Sequence, residues 1–465
     1  MSERKNSLAV QRVERLLDDN SFVELGADIT ARNTDFTLNR EKAPSDGVVC
    51  GHGTINGNLV FVYSQDPDVL GGTIGEMHAK KIARIYEMAV DMNAPVIGII
   101  DCGGVRLDES YDALESMGLI TSEAADASGV VPEIAAVFGK CGGGLSAVAS
   151  ISDFTFVSDK GSVFLNSPDA IPGNSVDACD SSSPEFALKK SGIADCTGTE
   201  EELTAKIRDL VSILAEDDED EDDDLNRAST GLEDKRYDTR EFAKEISDSH
   251  VFFETKQGFE KNMTTGFIRL GGMTVGLVGN RSRCAKCGKD FSTDLTAAGI
   301  RKAADFIRFC DAFDYPVLTL TNVSGYEKSV HNEITLPREL ARFAVGLASS
   351  DIPKINLITD SAFGTPYIFM NSKSLGADIV MAYPDSRMGI MDASLASKII
   401  CEDGTAEEQA EVAEKFEEIQ SGTDQALRRG YIDRIINFSD TRKYLIAGFE
   451  MLESKAEYYR KHTAK

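Results

Sequence analysis

Pro95-Val96-Ile97 and Val131-Pro132-Glu133-Ile134 return later in the chain as Pro316-Val317-Leu318 and Ile352-Pro353-Lys354-Ile355. The two pairs share one offset, since both 316 − 95 and 353 − 132 give 221. Lys81 and Lys302 keep that offset, and so do Gly143 and Gly364. Matches at a single spacing mean two similar domains in tandem. Each repeat carries a β–α segment into a glycine turn, so a pocket in one half predicts a related pocket in the other.

A chain of 465 residues suits two domains of about 200 residues each. The net charge of −28 argues against nucleic acid or an anionic membrane surface as partner, because both require a positive patch. A local cluster of Lys and Arg could still receive an anionic ligand. Nine cysteines without a disulfide-like cadence fit a reducing, cytoplasmic setting. The N-terminus lacks the apolar core of a signal peptide, and no run of 18 apolar residues is present.

The pattern predicts a helix over Val10 to Leu17 and a strand over Leu59 to Ser64. Gly71-Gly72 precedes a helix from about Gly75 to Met92, with Ile82, Ile85, Met88 and Ala89 on one face. Strands follow over Val96 to Asp101 and Ile134 to Phe138. The second half repeats this as a strand over Met273 to Gly279, a helix over Thr296 to Phe313, and strands over Val317 to Asn322 and Ile355 to Thr359. Between the halves, residues 216–224 are nine consecutive carboxylates that repel one another and read as a solvated linker. The expected domains are therefore residues 1–225 and 226–465.

The strongest local signal is Gly142-Gly143-Gly144 behind a strand. Glycines there let backbone N–H groups face a cleft without a Cβ in the way, and two such groups form an oxyanion hole. A helix starting near Ser146 would add its dipole. A plain helix-start turn explains one glycine triplet equally well, but Gly364 at the repeat position favours a site. No nucleophile–base pair stands out among the five histidines. Cys284-Ala285-Lys286-Cys287 has the spacing of a zinc or redox pair, yet lacks the second pair a zinc ribbon needs, so two loop thiols is the plainer reading. Lys80, Lys81 and Arg84 could meet the phosphates of an acyl carrier such as coenzyme A, or form a solvated helix face.

Several runs resemble the biotin-dependent acyl-CoA carboxyltransferases, the group of propionyl-CoA carboxylase beta subunits and methylmalonyl-CoA decarboxylase alpha subunits. Gly103-Gly104-Val105-Arg106-Leu107-Asp108-Glu109 is similar to the family's GGARIQE. Ser128 to Ile134 and Gly139 to Gly144 are similar to SGVIPQI and GPCAGGA. In the second half Ala304 to Phe313 resembles ARFIRFCDAF, and Ala362 to Tyr367 with Met370 to Lys373 resembles AYGGAY and MSSK. The likeness runs over about residues 8–460.

The resemblance implies an α/β fold of two tandem crotonase-like domains, each a ββα superhelix. The first would bind acyl-CoA and the second carboxybiotin, with CO₂ passing between biotin and the thioester α-carbon. Gly143 and Gly144 would hold the thioester oxygen; Gly364 and Thr365 would hold the biotin oxygen. Gly71, Gly72, Lys80, Lys81, Arg106 and Gly142, with Gly325, Tyr367 and Ile368, are the expected binding residues. No metal is expected in this subunit. Biotin would arrive on a separate carrier protein, since the chain has no Met-Lys-Met segment. Implied partners are that carrier, a biotin carboxylase or a membrane decarboxylase pump subunit, and further copies of the chain as a dimer or a hexamer. The chain departs from the family at Thr365-Pro366, where Gly-Ala is usual and where proline removes an N–H. It departs again at Asn322-Val323-Ser324-Gly325-Tyr326 and at Ile368. Two other readings remain open from these residues: a biotin-independent crotonase-like decarboxylase or hydrolase using Glu109 or Glu133, and a non-catalytic paralogue.

Overall fold

The computed structural model describes residues 7–34, 43–215 and 223–463, with side chains to 455. The chain divides into two units: Met1–Ala215 with Thr255–Phe259, and Glu216–Glu254 with Glu260–Lys465. Most of the acidic run, residues 216–222, lies outside the described residues. Its end does not behave as a solvated tether. Asp223 accepts from Arg227 and from the Ser249 amide, and the Asp224 carbonyl accepts from Arg442, all within the second unit.

Among the described residues the first unit holds seven strands in one sheet: β1 (Val23–Leu25), β2 (Val48–Ile55), β3 (Asn58–Gln65), β4 (Val96–Ile100), β5 (Glu133–Val137), β7 (Phe154–Ser158) and β9 (Cys196–Gly198), in that spatial order. Two short strands, β6 (Lys140–Gly142) and β8 (Ser162–Phe164), pair with each other apart from it. Its helices are α1 (Leu8–Leu16), α2 (Glu76–Met92), α3 (Ser110–Ala127), α4 (Gly144–Ile151), α5 (Pro184–Phe186) and α6 (Glu200–Leu214). β2 and β3 form an antiparallel hairpin, and from β3 onward the sheet runs parallel. The hairpin turns at Asn56-Gly57, both at positive φ, which the primed two-residue turn demands. α2 crosses back from β3 to β4 and buries Ile82, Ile85, Tyr86 and Ala89. Each large apolar side chain so placed contributes about 1.5–3 kcal/mol.

The second unit repeats the plan. Its sheet runs β10 (Phe252–Thr255), β11 (Met263–Leu270), β12 (Met273–Asn280), β13 (Val317–Val323), β14 (Lys354–Phe363), β15 (Ile379–Ala382) and β17 (Arg434–Ile435), with β16 (Arg387–Gly389) also paired to β14. Its helices are α7 (Leu232–Lys235), α8 (Thr239–Ile246), α9 (Ala297–Ala312), α10 (Val330–Ser349), α11 (Gly364–Phe369), α12 (Ala393–Ile400), α13 (Ala406–Phe416), α14 (Thr423–Arg428) and α15 (Thr441–Thr463). Gly271-Gly272, again both at positive φ, turn the β11–β12 hairpin.

The duplication reaches single atoms. Lys81 on α2 is buried, with Nζ donating to the carbonyls of Ser45 and of Val48, the first residue of β2. Lys302 on α9 is buried with Nζ donating to the carbonyl of Met263, the first residue of β11. Four aspartates bracket strand starts in the same way. The Glu133 amide donates to the Asp153 carboxylate while the Asp153 amide donates back to the Glu133 carbonyl. Thr155 with Asp195, Lys354 with Asp378, and Val380 with Asp433 repeat the exchange. Each bracket satisfies two backbone groups that would otherwise be left open at a strand start.

Candidate active site

Both units build their site where a parallel strand runs into a glycine and then a helix. In the first unit, β5 ends at Val137 and the chain turns through Gly139. A Cβ at Gly139 would stand 1.8 Å from Asp101 Oδ1, so only glycine fits. Arg12 fixes that carboxylate, with Nη1 3.0 Å from Oδ2. The chain then pairs as β6 with β8 and reaches Gly143 at φ 60°, ψ −138°, a region essentially reserved for glycine.

The structure corrects the role expected for Gly143. Its N–H donates to the Phe164 carbonyl at 2.9 Å, continuing the β6–β8 ladder, and is therefore spent. The Gly143 carbonyl accepts from the amide and hydroxyl of Ser146. Gly144 opens α4 earlier than the expected start near Ser146. Gly144 is exposed, and among the described residues its N–H has no partner; the next free helix amide is that of Leu145. A helix N-terminus leaves such amides open and carries a positive partial charge. Gly142 lies one step earlier, in β6.

The other first-half positions make contacts within the fold. Gly103 N–H donates to the Gly71 carbonyl at 2.9 Å, and a Cβ at Gly72 would meet the Asp101 carbonyl at 2.3 Å. These glycines let two turns touch backbone to backbone. Lys81 is a core residue, and Lys80 pairs with Glu76 on the exposed face. Arg106 is 4 % exposed: Nη1 meets Asp46 at 2.6 Å and Glu109 at 2.7 Å, and Nη2 donates to the Thr73 carbonyl. Glu109 also accepts the Glu76 amide, capping α2. Neither Lys81 nor Arg106 is thus placed to receive a phosphate. Beside them, His78 accepts from Gln65 at Nε2, so its proton sits on Nδ1 and goes to the Asp46 carbonyl. Burial holds its pKa down at about 3, which keeps it neutral.

In the second unit β14 ends at Phe363, and Gly364 at φ 64° opens α11. Phe363 opposite Gly389 closes the β14–β16 ladder as Gly142 opposite Phe164 closes β6–β8. Thr365 therefore stands where Gly144 stands, and Pro366 stands where Leu145 does. Proline in the first turn of a helix breaks no helical bond, but it offers no donor. A cavity of about 640 Å³ opens here, lined among others by Gly325, Tyr326, Thr365, Arg387, Ile390 and Leu395. The Tyr326 hydroxyl and Thr365 Oγ1 are hydrogen-bonded at 2.9 Å. Burial pushes the Tyr326 phenol up, which keeps it protonated. Tyr367 and Ile368 do not line the cavity. Tyr367 packs beneath β14 and β15, where burial lifts its pKa to about 12, and Ile368 is 37 % exposed. The wall from Arg387 to Leu395 carried no sequence signal.

An amide aimed from a helix start, in a partly dry pocket, stabilises negative charge growing on a carbonyl oxygen. A model of the carboxyl transferase domain family matches residues 2–464. The propionyl-CoA carboxylase beta chain of Roseobacter denitrificans is 36 % identical, covering 96 % of this chain and 91 % of its own. The methylmalonyl-CoA decarboxylase subunit alpha of Veillonella parvula is 33 % identical, covering 97 % and 90 %. A crystal structure of hexameric transcarboxylase 12S with hydrolysed methylmalonyl-CoA bound matches with a TM-score of 0.90 at 30 % identity, over 97 % of this chain and 91 % of that one. Two crotonase-like units built on one repeated site device, together with these relatives, show that the chain belongs to the carboxyl transferase domain family, the biotin-dependent acyl-CoA carboxyltransferases.

Proposed function

We propose that this subunit moves CO₂ between biotin on a separate carrier protein and the α-carbon of a short acyl-CoA, with propionyl-CoA and methylmalonyl-CoA as the first pair to test. Acetyl-CoA and glutaconyl-CoA come next. The observation that carries the reading is the strand–glycine–helix device present in both units, ending at Gly144 and at Thr365. In the first unit the Gly144 amide takes the thioester oxygen as charge develops on it, and the α4 dipole adds to the field. Biotin, when bound, supplies or accepts the carboxyl group. The second cavity suits its ring: the Thr365 amide and hydroxyl offer donors to a ureido oxygen, Tyr326 orients the hydroxyl, and Ile390 and Leu395 supply an apolar wall. The hydroxyl stands in only partly for the donor that Pro366 lacks.

Propionyl-type carboxylases need a biotin carboxylase partner, and sodium-pumping decarboxylases need a membrane subunit. Among the described residues no helix is long and apolar enough to cross a membrane, so a pump would be a separate chain. A cytoplasmic location and a homo-oligomer, a hexamer like transcarboxylase 12S or a dimer, belong to the same proposal. Exposed Val330 and Ile334 on α10 and Ile399 and Ile400 on α12 offer apolar surface for further copies.

The biotin-independent alternative needs a carboxylate at the thioester, and both candidates are committed elsewhere. Glu109 is held by Arg106 and the α2 amide. Glu133 begins β5, at the opposite end of that strand from Gly144. The test is decarboxylation of methylmalonyl-CoA and malonyl-CoA by the purified protein, with and without free biotin. Biotin-dependent turnover supports carboxyl transfer. Turnover indifferent to biotin would reinstate the crotonase-like decarboxylase. Acyl-CoA binding without turnover, even with a biotinylated carrier, would point to the non-catalytic paralogue.

A further inference from the structure

The Cys284–Cys287 pair is unused by the site just described, and its loop is tightly built. The stem is anchored on one side by the Tyr237 carbonyl, which accepts from the amides of Ser282 and Arg283, and by Asp238, which accepts from Arg281 and the Ala285 amide. Arg283 and Asp290 form a bridge across its base. The Cys284 amide donates to the Lys289 carbonyl at 2.7 Å, and the Gly288 amide returns to the Cys284 carbonyl at 2.8 Å. Gly288 sits at φ 67°, which lets the chain reverse there. Inside this turn the Cys287 amide points at Cys284 Sγ, 3.4 Å away. Turn residues three apart bring their Cα atoms within about 7 Å, which overlaps the span a disulfide needs.

We propose that Cys284 and Cys287 form a reversible dithiol–disulfide couple, a redox modification site. The Cys287 thiol and amide, then Arg281, draw the Cys284 thiol below its ordinary pKa. A thiolate is the reactive form. Cys287 is exposed and Cys284 is 9 % exposed, an attacking and a resolving thiol within one turn. The co-reactant is a small-molecule disulfide. The exposed Cys287 attacks one of its sulfurs as it gives up its proton, forming a mixed disulfide and releasing one small thiol. The Cys284 thiolate then attacks Cys287 Sγ, closing the ring and releasing the second. Both cysteine protons end on the two departing thiols, so the protein is oxidised by two electrons and the reagent reduced by two. Zinc fits less well, because among the described residues no third His, Cys, Asp or Glu joins the pair. The loop also matters by position. Arg283 and Asp290 line a cavity of about 370 Å³ that shares Ser324 and Ser361 with the Thr365 cavity.

The test equilibrates the full-length protein with mixtures of reduced and oxidised glutathione, quenches with acid, alkylates free thiols and maps peptides by mass. The expected result is joint loss of alkylation at Cys284 and Cys287, with a peptide lighter by two hydrogens, reversed by excess reduced glutathione. Cys284→Ser should instead trap a stable glutathione adduct on Cys287. Persistent alkylation of both thiols in excess oxidised glutathione would overturn the proposal, and so would a wild-type adduct that never closes. Protection of both thiols by zinc alone under reducing conditions, with no disulfide formed by oxidant, would replace it with a metal site.

Discussion

Glu133 offers a sharp energetic test. Glu133 is 1 % exposed, and among the described residues neither carboxylate oxygen has a hydrogen-bond partner. The repeat position in the second unit holds Lys354, whose Nζ donates to the carbonyls of Leu347 and Ser350 at 2.5 and 2.7 Å. One fold position thus carries a satisfied cation in one unit and an unsatisfied acid in the other. Burial, with Asp153 adding, lifts the Glu133 pKa from 4.5 to about 8. The folded state therefore keeps a proton that the unfolded chain releases between those values. Its contribution to stability is whole below pH 4.5 and is lost as pH rises toward 8, with a slope near 1.4 kcal/mol per unit. The loss is about 3 kcal/mol at pH 7 and about 4 at pH 8, against less than about 1 at pH 5. Glu133→Gln removes the titration and nearly preserves the shape. Urea unfolding of full-length protein and variant at pH 5 and pH 8 should show the variant's relative stability rising by about 3–4 kcal/mol across that range. A gap between the two that does not change with pH would refute the reasoning, whatever its sign.

Three further expectations concern the sites. Gly144→Pro deletes the free amide at the first residue of α4, where proline is well tolerated, and should lower kcat by about 10²–10³-fold. Gly144→Ala keeps the amide, and its Cβ meets nothing closer than Met117 at 3.8 Å, so its rate should stay near wild type; equal losses in both variants would shift the role away from the amide. Pro366→Ala restores an N–H beside Thr365 and should raise biotin-dependent turnover, by up to about 10²-fold. An unchanged rate would mean that position needs no donor. Arg106→Met strands Asp46 and Glu109 as buried charges and should cost about 3–5 kcal/mol in thermal or urea unfolding. A stable variant with weakened acyl-CoA binding would instead return Arg106 to the ligand.

The repeat made the strand and helix order legible, because offset matches do not depend on local propensity. Both antiparallel hairpins went unread although Asn56-Gly57 and Gly271-Gly272 mark their turns. α3 was hidden by small residues along its buried face, and α10 by Pro337 within it. At the site, the glycines pointed to the right turns but not to the right amide. Which N–H stays free is decided by the Phe164 carbonyl on β8, about twenty residues on from Gly143. Lys81 and Arg106 read as ligand-binding residues because charge is visible in a sequence. Their partners Ser45, Val48 and Asp46 arrive from distant segments and are not.

The aspartate brackets bear on the order in which each sheet is assembled. Every bracket ties a strand start to a carboxylate further along the chain, at separations of 20, 40, 24 and 53 residues. The amide of Glu133 finds its acceptor only once the chain has returned as far as Asp153. Thr155 must then wait for Asp195. Each sheet should accordingly close stepwise away from its hairpin, every added crossover locking the strand laid down before it. Pulse-labelled hydrogen exchange during refolding should protect the Glu133 amide before that of Thr155, and Lys354 before Val380. Protection in the reverse order would mean that the far strands dock first and that the brackets are fastened last.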